Sequence, residues 1–168
     1  KFNSEFFFNN LIFTLIILFA CFLQISLNFL SFFLISQPYI LAIVLFLTIR
    51  RLNYEASSFL IILYGLFYDL ITGGLIGIHS LFFLFLKFFT IQFDLSNMIF
   101  KKYGEWFLFS FSYIVSLLIV KTIFLVVNFK FPDIYAISFN IGTTLLLFPI
   151  ILFLIDIPKL VFKVLISK

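Results

Sequence analysis

The sequence predicts an all-α bundle of about six transmembrane helices, and three observations lead to this fold class. Of the 168 residues, 64% are hydrophobic and only 11% are charged, whereas soluble domains are about 45–50% apolar and about 25% charged. Because a helix needs about 20 apolar residues to cross a bilayer, six helices would use most of the chain. Polar clusters also divide the chain into six apolar runs. Residues 1–168 are therefore expected to form a single integral membrane domain.

Each apolar run is predicted to be one helix. The first is followed by the uncharged segment 31–38, whose Pro38 suits the first turn of a helix because the N–H that proline lacks is not needed there. A polar loop at 50–55 separates the second and third runs, and another at 94–105 precedes the fifth. The predicted helices comprise about residues 10–30, 36–49, 56–72, 76–93, 104–128 and 134–156.

Glycine and proline mark two of the predicted helix ends. Gly73 and Gly74 can adopt a positive φ, so they are expected to form a tight reversal between the third and fourth helices. Pro158 is expected to end the sixth helix, because proline removes a backbone hydrogen bond inside a helix. A basic tail, residues 157–168, is expected to follow.

The distribution of Lys and Arg predicts the orientation. Positive residues are enriched in the cytoplasmic loops of membrane proteins. The predicted loops and ends place eight on one side of the membrane and Lys130 on the other; the eight are Lys1, Arg50, Arg51, Lys101, Lys102, Lys159, Lys163 and Lys168. Both termini are therefore expected in the cytoplasm.

The sequence offers little for catalysis or metal binding. It has one cysteine, Cys21, inside an apolar run, and one histidine, His79. It contains no His-Glu-x-x-His motif and no nucleophile beside a base. We therefore expect no catalytic residue, no metal and no cofactor. The net charge of +4 follows from the cytoplasmic loops and does not require a nucleic-acid partner.

Four Asp, His or Lys residues fall within predicted helices, away from the helix ends: Asp69, His79, Lys87 and Lys121. A charged residue in a membrane span costs about 2.5–3.5 kcal/mol on insertion scales, so each is a candidate for function. Asp69 and His79 flank the glycine turn and could meet across the hairpin, while Lys121 could reach Asp69 if the third and fifth helices pack together. The alternative is that Asp69 caps the turn and Lys121 extends its ammonium group toward the membrane surface.

Small residues recur at every fourth position around this turn. Gly65, Asp69, Gly73 and Gly77 would share one helix face, and the Gly73-x-x-x-Gly77 spacing is typical of closely packed membrane helices. The alternative is that these glycines only form the hairpin.

The segment from Gly65 to Leu81 resembles the signature of the MreD family of rod-shape-determining membrane proteins. That signature has Asp followed by Leu, a Ser or Thr, Gly, then Leu or Ile with Gly, and a small residue before Leu. Other features agree in position: the Leu23-Gln24 pair, Pro38, and Asn140 with Pro149. Lys121 is an uncommon charge for its helix, and the family assigns it no role.

This resemblance implies a non-enzymatic subunit of the cell-wall elongation (Rod) complex in the bacterial inner membrane, which helps to maintain rod shape and regulate peptidoglycan synthesis. It implies binding to MreC, a single-span protein with a coiled coil. It also implies that the subunit acts together with the glycosyltransferase RodA, its penicillin-binding transpeptidase and cytoplasmic MreB filaments. The expected partner-binding or structural motif comprises Gly65, Asp69, Thr72, Gly73, Gly74, Gly77 and His79, and the candidate intramembrane polar partners are Lys121, Asn140 and Gln24.

A second hypothesis is a substrate-binding membrane subunit of an energy-coupling-factor vitamin transporter. Such a subunit needs polar groups that converge on a pocket, which Asp69, His79, Lys121 and Asn140 could supply. It should also carry small residues on its first helix to dock a coupling protein. That helix has only Ala20 and Ser26 among bulky residues, which disfavours the transporter hypothesis.

Overall fold

The computed structural model describes the backbone of residues 4–30, 38–51, 57–73, 75–93, 104–129, 131 and 133–166, and the side chains of 11–27, 38–50, 57–73, 75–93, 104–127, 129, 131 and 133–154. Over these residues the chain is all-α, as predicted, with six helices and no strand. The helices are α1 (Ser4–Leu30), α2 (Ile40–Arg51), α3 (Ser58–Thr72), α4 (Ile78–Gln92), α5 (Gly104–Asn128) and α6 (Ile134–Ile166).

Two of the described helices are long and apolar enough to cross a membrane by length and composition. They are α5 over Gly104–Val127 and α6 over Ile134–Leu154. The other apolar segments are shorter and comprise Leu11–Leu27, Ile40–Arg50, Ser58–Thr72 and Ile78–Gln92. The chain is thus compatible with a membrane protein.

The short helix α2 lies at the centre of the bundle. It packs against α1, α4, α5 and α6, and between Leu41 and Ile49 every side chain except the half-buried Val44 is buried. Phe46 contacts the rings of Phe109 in α5 and Phe148 in α6, at centroid distances of 5.3 and 5.7 Å. A helix with apolar residues on all sides is typical of such a central position.

Helices α3 and α4 form a closely packed hairpin, and Gly65 permits their approach. A Cβ atom at Gly65 would collide with the backbone N and Cα of Ser80. The Ser80 hydroxyl donates a hydrogen bond of 3.0 Å to the Ile62 carbonyl. The absence of a side chain at residue 65 therefore sets the distance between the two helices.

The α5–α6 hairpin extends beyond the buried part of the helix bundle. Among the described side chains, those buried in α5 lie between Leu108 and Val120, and those buried in α6 are Thr144 and Phe148. The turn contains Phe129 at a φ of 52°. The first turn of α6 is capped by Asp133, whose Oδ1 accepts the N–H of Tyr135 at 2.9 Å.

The prediction that Pro158 ends the sixth helix is wrong, because α6 continues to Ile166. Proline removes one backbone hydrogen bond, but its fixed φ of about −65° is compatible with a helix. Membrane helices tolerate proline where other groups satisfy the freed carbonyl. The second helix also begins later than predicted, since Pro38 and Tyr39 precede α2.

Candidate functional site

Asp69 is the central residue of the candidate site. It is 1% exposed, near the end of α3. Its Oδ2 accepts the backbone N–H of Gly77 at 2.7 Å, and both carboxylate oxygens lie 3.4 Å from the backbone nitrogen of His79. Its Oδ1 is also paired with Nδ1 of the His79 ring. The carboxylate is therefore fully engaged by the turn and by α4.

This arrangement follows from the lack of a capping side chain at the start of α4. The N-cap residue is Gly77, which has no side chain to accept the first N–H groups of the helix. Those groups need an acceptor wherever they are buried. Asp69 supplies it from the preceding helix, and its negative charge is favourable at a helix N-terminus.

The imidazole of His79 gives Asp69 a second partner. The side chain of Asp69 is fully buried, whereas that of His79 is 27% exposed. Burial of an unpaired carboxylate would be costly. The His79 ring forms a T-shaped contact with the Tyr68 ring, at a centroid distance of 4.7 Å, and stacks on Tyr39 at 6.0 Å. The two sequence-based alternatives for Asp69 are therefore both realised, since it caps the turn and pairs with His79.

Lys121 is not the partner of Asp69 in this structure. It is an exposed residue of α5, and its ammonium nitrogen lies 5.9 Å from the centroid of the Phe124 ring. That distance is at the outer limit of a cation–π interaction. The sequence could not decide between His79 and Lys121, and the structure joins Asp69 to His79.

Gln24 in α1 plays a similar role for α2. The residues before α2 are Pro38 and Tyr39, and neither is a residue type whose side chain caps the first N–H groups of a helix. Instead, Gln24 Nε2 donates to the Pro38 carbonyl at 3.2 Å, and Gln24 Oε1 accepts the N–H of Leu41 at 3.4 Å. The start of α2 is thus also held by a side chain of the preceding helix.

A chain of contacts connects these groups to α5 and α6. The N–H of Tyr39 donates to Thr144 Oγ1 at 2.9 Å. The hydroxyl of Tyr113 donates to Asn140 Oδ1 and lies 3.5 Å from Thr144 Oγ1. Because the Tyr39 ring stacks on His79, the contacts join all six helices. We call the set the polar layer; it comprises Gln24, Pro38, Tyr39, Asp69, Gly77, His79, Tyr113, Asn140 and Thr144.

The sequence did not single out three members of this layer, namely Tyr39, Tyr113 and Thr144. Tyrosine and threonine occur in apolar helices for many reasons, so their presence carries no specific signal. Of the three, Tyr39 could most nearly have been predicted from the sequence, because it follows Pro38 at the start of a helix, where unpaired N–H groups need acceptors.

The glycines of the motif do not share one structural role. Gly65 packs against α4 as a close-contact residue. Gly73 has a φ of +68° and Gly77 a φ of +97°, and a Cβ at either position would meet nothing within 4 Å. These two lie at the ends of α3 and α4, so of the two alternatives for Gly73-x-x-x-Gly77 the structure shows the hairpin, and backbone conformation is what requires glycine there. Gly74 lies outside the described residues.

Thr72 completes the turn in a local role. Its hydroxyl donates to the carbonyls of Tyr68, at 2.9 Å, and Asp69, at 3.4 Å, within α3. This is the back-bonding that threonine often makes in a helix. Thr72 therefore satisfies carbonyls at the end of α3, where intrahelical donors run out.

The polar layer is built to hold helices together. Each described hydrogen bond of Asp69 and Gln24 ends on the protein's own backbone or on His79. Among the described side chains, no group of three His, Cys, Asp or Glu could hold a metal ion. An apolar cleft between α1, α2, α3 and α4 has a volume of about 10 Å³, while small-molecule sites span about 300–1,000 Å³.

Comparisons with known protein families, curated proteins and solved structures give no match to this chain.

Proposed function

We propose that this chain is a non-enzymatic, six-span subunit of a bacterial cell-wall elongation complex, of the kind that the MreD family provides. It lies in the cytoplasmic membrane with both termini inside, binds MreC, and acts as a scaffold beside RodA, its penicillin-binding transpeptidase and MreB. Its role is to support rod shape and peptidoglycan synthesis.

One observation carries this proposal. The resemblance to MreD rests on separate parts of the sequence: the Leu23-Gln24 pair, Pro38, the motif around Asp69, and Asn140 with Pro149. These parts are distant along the chain, yet each of the polar features, and Pro38 through its carbonyl, belongs to the polar layer. Leu23 and Pro149 are exposed and lie outside it. A shared requirement for one hydrogen-bonded layer explains why such different residue types would occur together in a family.

The polar layer also favours a scaffold over a transporter subunit. The transporter hypothesis needs the polar groups of Asp69, His79, Lys121 and Asn140 to face a ligand. Instead, Asp69 pairs with His79 and caps α4, Asn140 accepts the Tyr113 hydroxyl, and Lys121 is exposed on α5. A buried polar network of this kind rigidifies the bundle, which suits a protein that presents a fixed surface to MreC.

Copurification with MreC tests the proposal. The tagged chain is expressed with MreC from the same organism, extracted in a mild detergent and purified, and MreC is quantified against an unrelated tagged six-span protein. We expect recovery of MreC well above that control. Recovery equal to the control, or copurification of a bound vitamin with an ATPase subunit, would contradict the proposal.

Thiol labelling tests the six-span topology separately. Phe131 is 88% exposed in the α5–α6 turn, and Ser57 is exposed just before α3. In a Cys21→Ser background, Phe131→Cys should react with a membrane-impermeant thiol reagent added to intact cells. Ser57→Cys should react only after the cells are opened. Labelling of Ser57→Cys in intact cells would show that the topology is wrong.

A further inference from the structure

Lys121 is a charged residue on the exposed surface of a candidate membrane helix. It lies within the Gly104–Val127 segment of α5 and directly follows Val120, the last buried residue of that segment. The carboxylate of Asp69 is already engaged by Gly77 and His79. A lysine exposed at this depth in hydrocarbon is costly unless an anion lies within its reach.

The contact between α4 and α5 shows where Lys121 lies along the bundle. The Phe82 ring in α4 contacts the Tyr113 ring in α5 at a centroid distance of 5.8 Å. Lys121 follows Tyr113 by about 12 Å along α5, and α4 begins about 6 Å before Phe82, at 1.5 Å per residue. Lys121 therefore lies near the level of the α3–α4 turn. Beyond this level, the described side chains of 121–139 are exposed or half-buried. The α5–α6 turn therefore extends past the α3–α4 turn.

The lengths of the helices create a mismatch with a normal bilayer. Helices α3 and α4 have 15 residues each, which corresponds to about 22 Å at 1.5 Å per residue. The hydrocarbon core is about 30 Å thick, so this hairpin is short by about 8 Å. A bilayer accommodates a short segment by thinning around it.

Three exposed side chains at the α3–α4 turn are apolar. Leu70 is 66% exposed, Leu75 43% and Ile76 69%. Such residues are unfavourable in bulk water and suit the boundary between acyl chains and headgroups. The turn is therefore suited to lie at the boundary between acyl chains and headgroups, and Lys121 lies near the same level.

We propose that lipids of the outer leaflet are drawn down around the α3–α4 turn and that Lys121 binds the phosphate of one of them. Lysine presents three donors and no acceptor, which matches the oxygens of a phosphate. The inference rests on the six-span topology proposed above and is independent of whether the chain binds MreC.

Fluorescence quenching measures the depth of the turn. Trp106 is the single tryptophan, so Leu75→Trp in a Trp106→Phe background places the only tryptophan at the turn. The full chain is reconstituted in phosphatidylcholine vesicles brominated either near the headgroup or near the bilayer centre. We expect stronger quenching by the label near the headgroup. Stronger quenching by the central label would overturn the proposed thinning.

Substitution of Lys121 tests its role in the same assay. We expect Lys121→Met to shift quenching toward the central label, Lys121→Arg to keep the wild-type ratio of the two quenching values, and the matched control Thr122→Met, at the adjacent exposed position, to leave it unchanged. Addition of inorganic phosphate should have no effect, since the phosphate belongs to a lipid. An unchanged ratio in Lys121→Met would overturn the assignment of Lys121.

Two further outcomes separate this inference from the proposed function. If Lys121→Met changes the depth only in vesicles that also contain MreC, a partner helix covers Lys121 and the lipid proposal is wrong. If the label near the headgroup does not give the stronger quenching but MreC still copurifies, the lipid inference is wrong while the proposed function stands.

Discussion

The α3–α4 turn and the α5–α6 turn use the same chemistry in different surroundings. In each, a carboxylate accepts N–H groups at the start of the second helix. Asp69 does so from the preceding helix and is 1% exposed. Asp133 does so from the residue directly before α6 and is exposed. The first carboxylate connects two helices and the polar layer, and the second stabilises only its own helix.

Backbone conformation distinguishes the same two turns. The first has glycine at its positive-φ positions, Gly73 and Gly77, whereas the second has Phe129 at a φ of 52°. Phe129 is 90% exposed and tolerates this conformation at a cost of about 1–2 kcal/mol. The turn beside the buried Asp69 carboxylate thus has glycine at its described positive-φ positions, whereas the other turn has a bulky residue at such a position. Substitutions should therefore have opposite or unequal effects in the two turns.

Substitution of Asp69 should have the largest effect. In Asp69→Leu, the buried N–H groups of Gly77 and His79 lose their acceptor, and we expect a loss of about 3 kcal/mol or more in the free energy of unfolding. Asp69→Asn keeps one acceptor oxygen and should lose about 1–2 kcal/mol. Reversible unfolding in mixed micelles would measure both.

Asp133→Ala is the matched control in the exposed turn. It removes a local cap and should cost about 1 kcal/mol. A loss in Asp133→Ala equal to that in Asp69→Leu would show that burial does not distinguish the two turns.

Gly65→Ala should have the next largest effect. The added methyl group collides with the backbone of Ser80, so α3 and α4 must move apart, at a cost of about 1–3 kcal/mol. Gly142 offers the control, because a Cβ there meets nothing within 4 Å. Gly142→Ala in α6 should be neutral or stabilise by up to about 1 kcal/mol through helix propensity. Equal destabilisation of the two variants, measured as the thermal midpoint in detergent, would contradict the close approach at residue 65.

Backbone substitutions should have smaller effects of opposite sign. Gly73→Ala and Gly77→Ala force a side chain into positive φ and should each cost about 1–2 kcal/mol. Phe129→Gly removes such a side chain without loss of packing, and should stabilise by up to about 1 kcal/mol. The same thermal assay measures all three, and destabilisation by Phe129→Gly would refute the comparison of the two turns.

The helices were predictable because local sequence determines them. Apolar runs bounded by polar loops predicted six helices, and α5 occupies the predicted residues 104–128. The end of α6 was not predictable, since a helix can continue through a proline such as Pro158 when surrounding groups compensate. The central position of α2 also depends on tertiary packing, which its twelve residues do not specify.

The candidate site was predictable only in part. Asp69 and His79 were singled out because charge in an apolar helix is costly, and the four-residue distance of each from the turn limited their separation. Lys121 was an equal candidate, because one sequence does not show which side of α5 faces α3. Tyr39 and Thr144 meet across 105 positions of the chain, and no local pattern indicates such a contact.

The most direct test of the central claim compares MreC recovery between the two turns. Monodisperse Asp69→Asn, Asp69→Leu and Asp133→Ala proteins are prepared in equal amounts with MreC, and bound MreC is quantified against the wild-type chain. If the polar layer organises the surface that receives MreC, Asp69→Leu should lose most of the bound MreC, Asp69→Asn should lose less, and Asp133→Ala should retain it. Full retention of MreC by monodisperse Asp69→Leu would contradict the account.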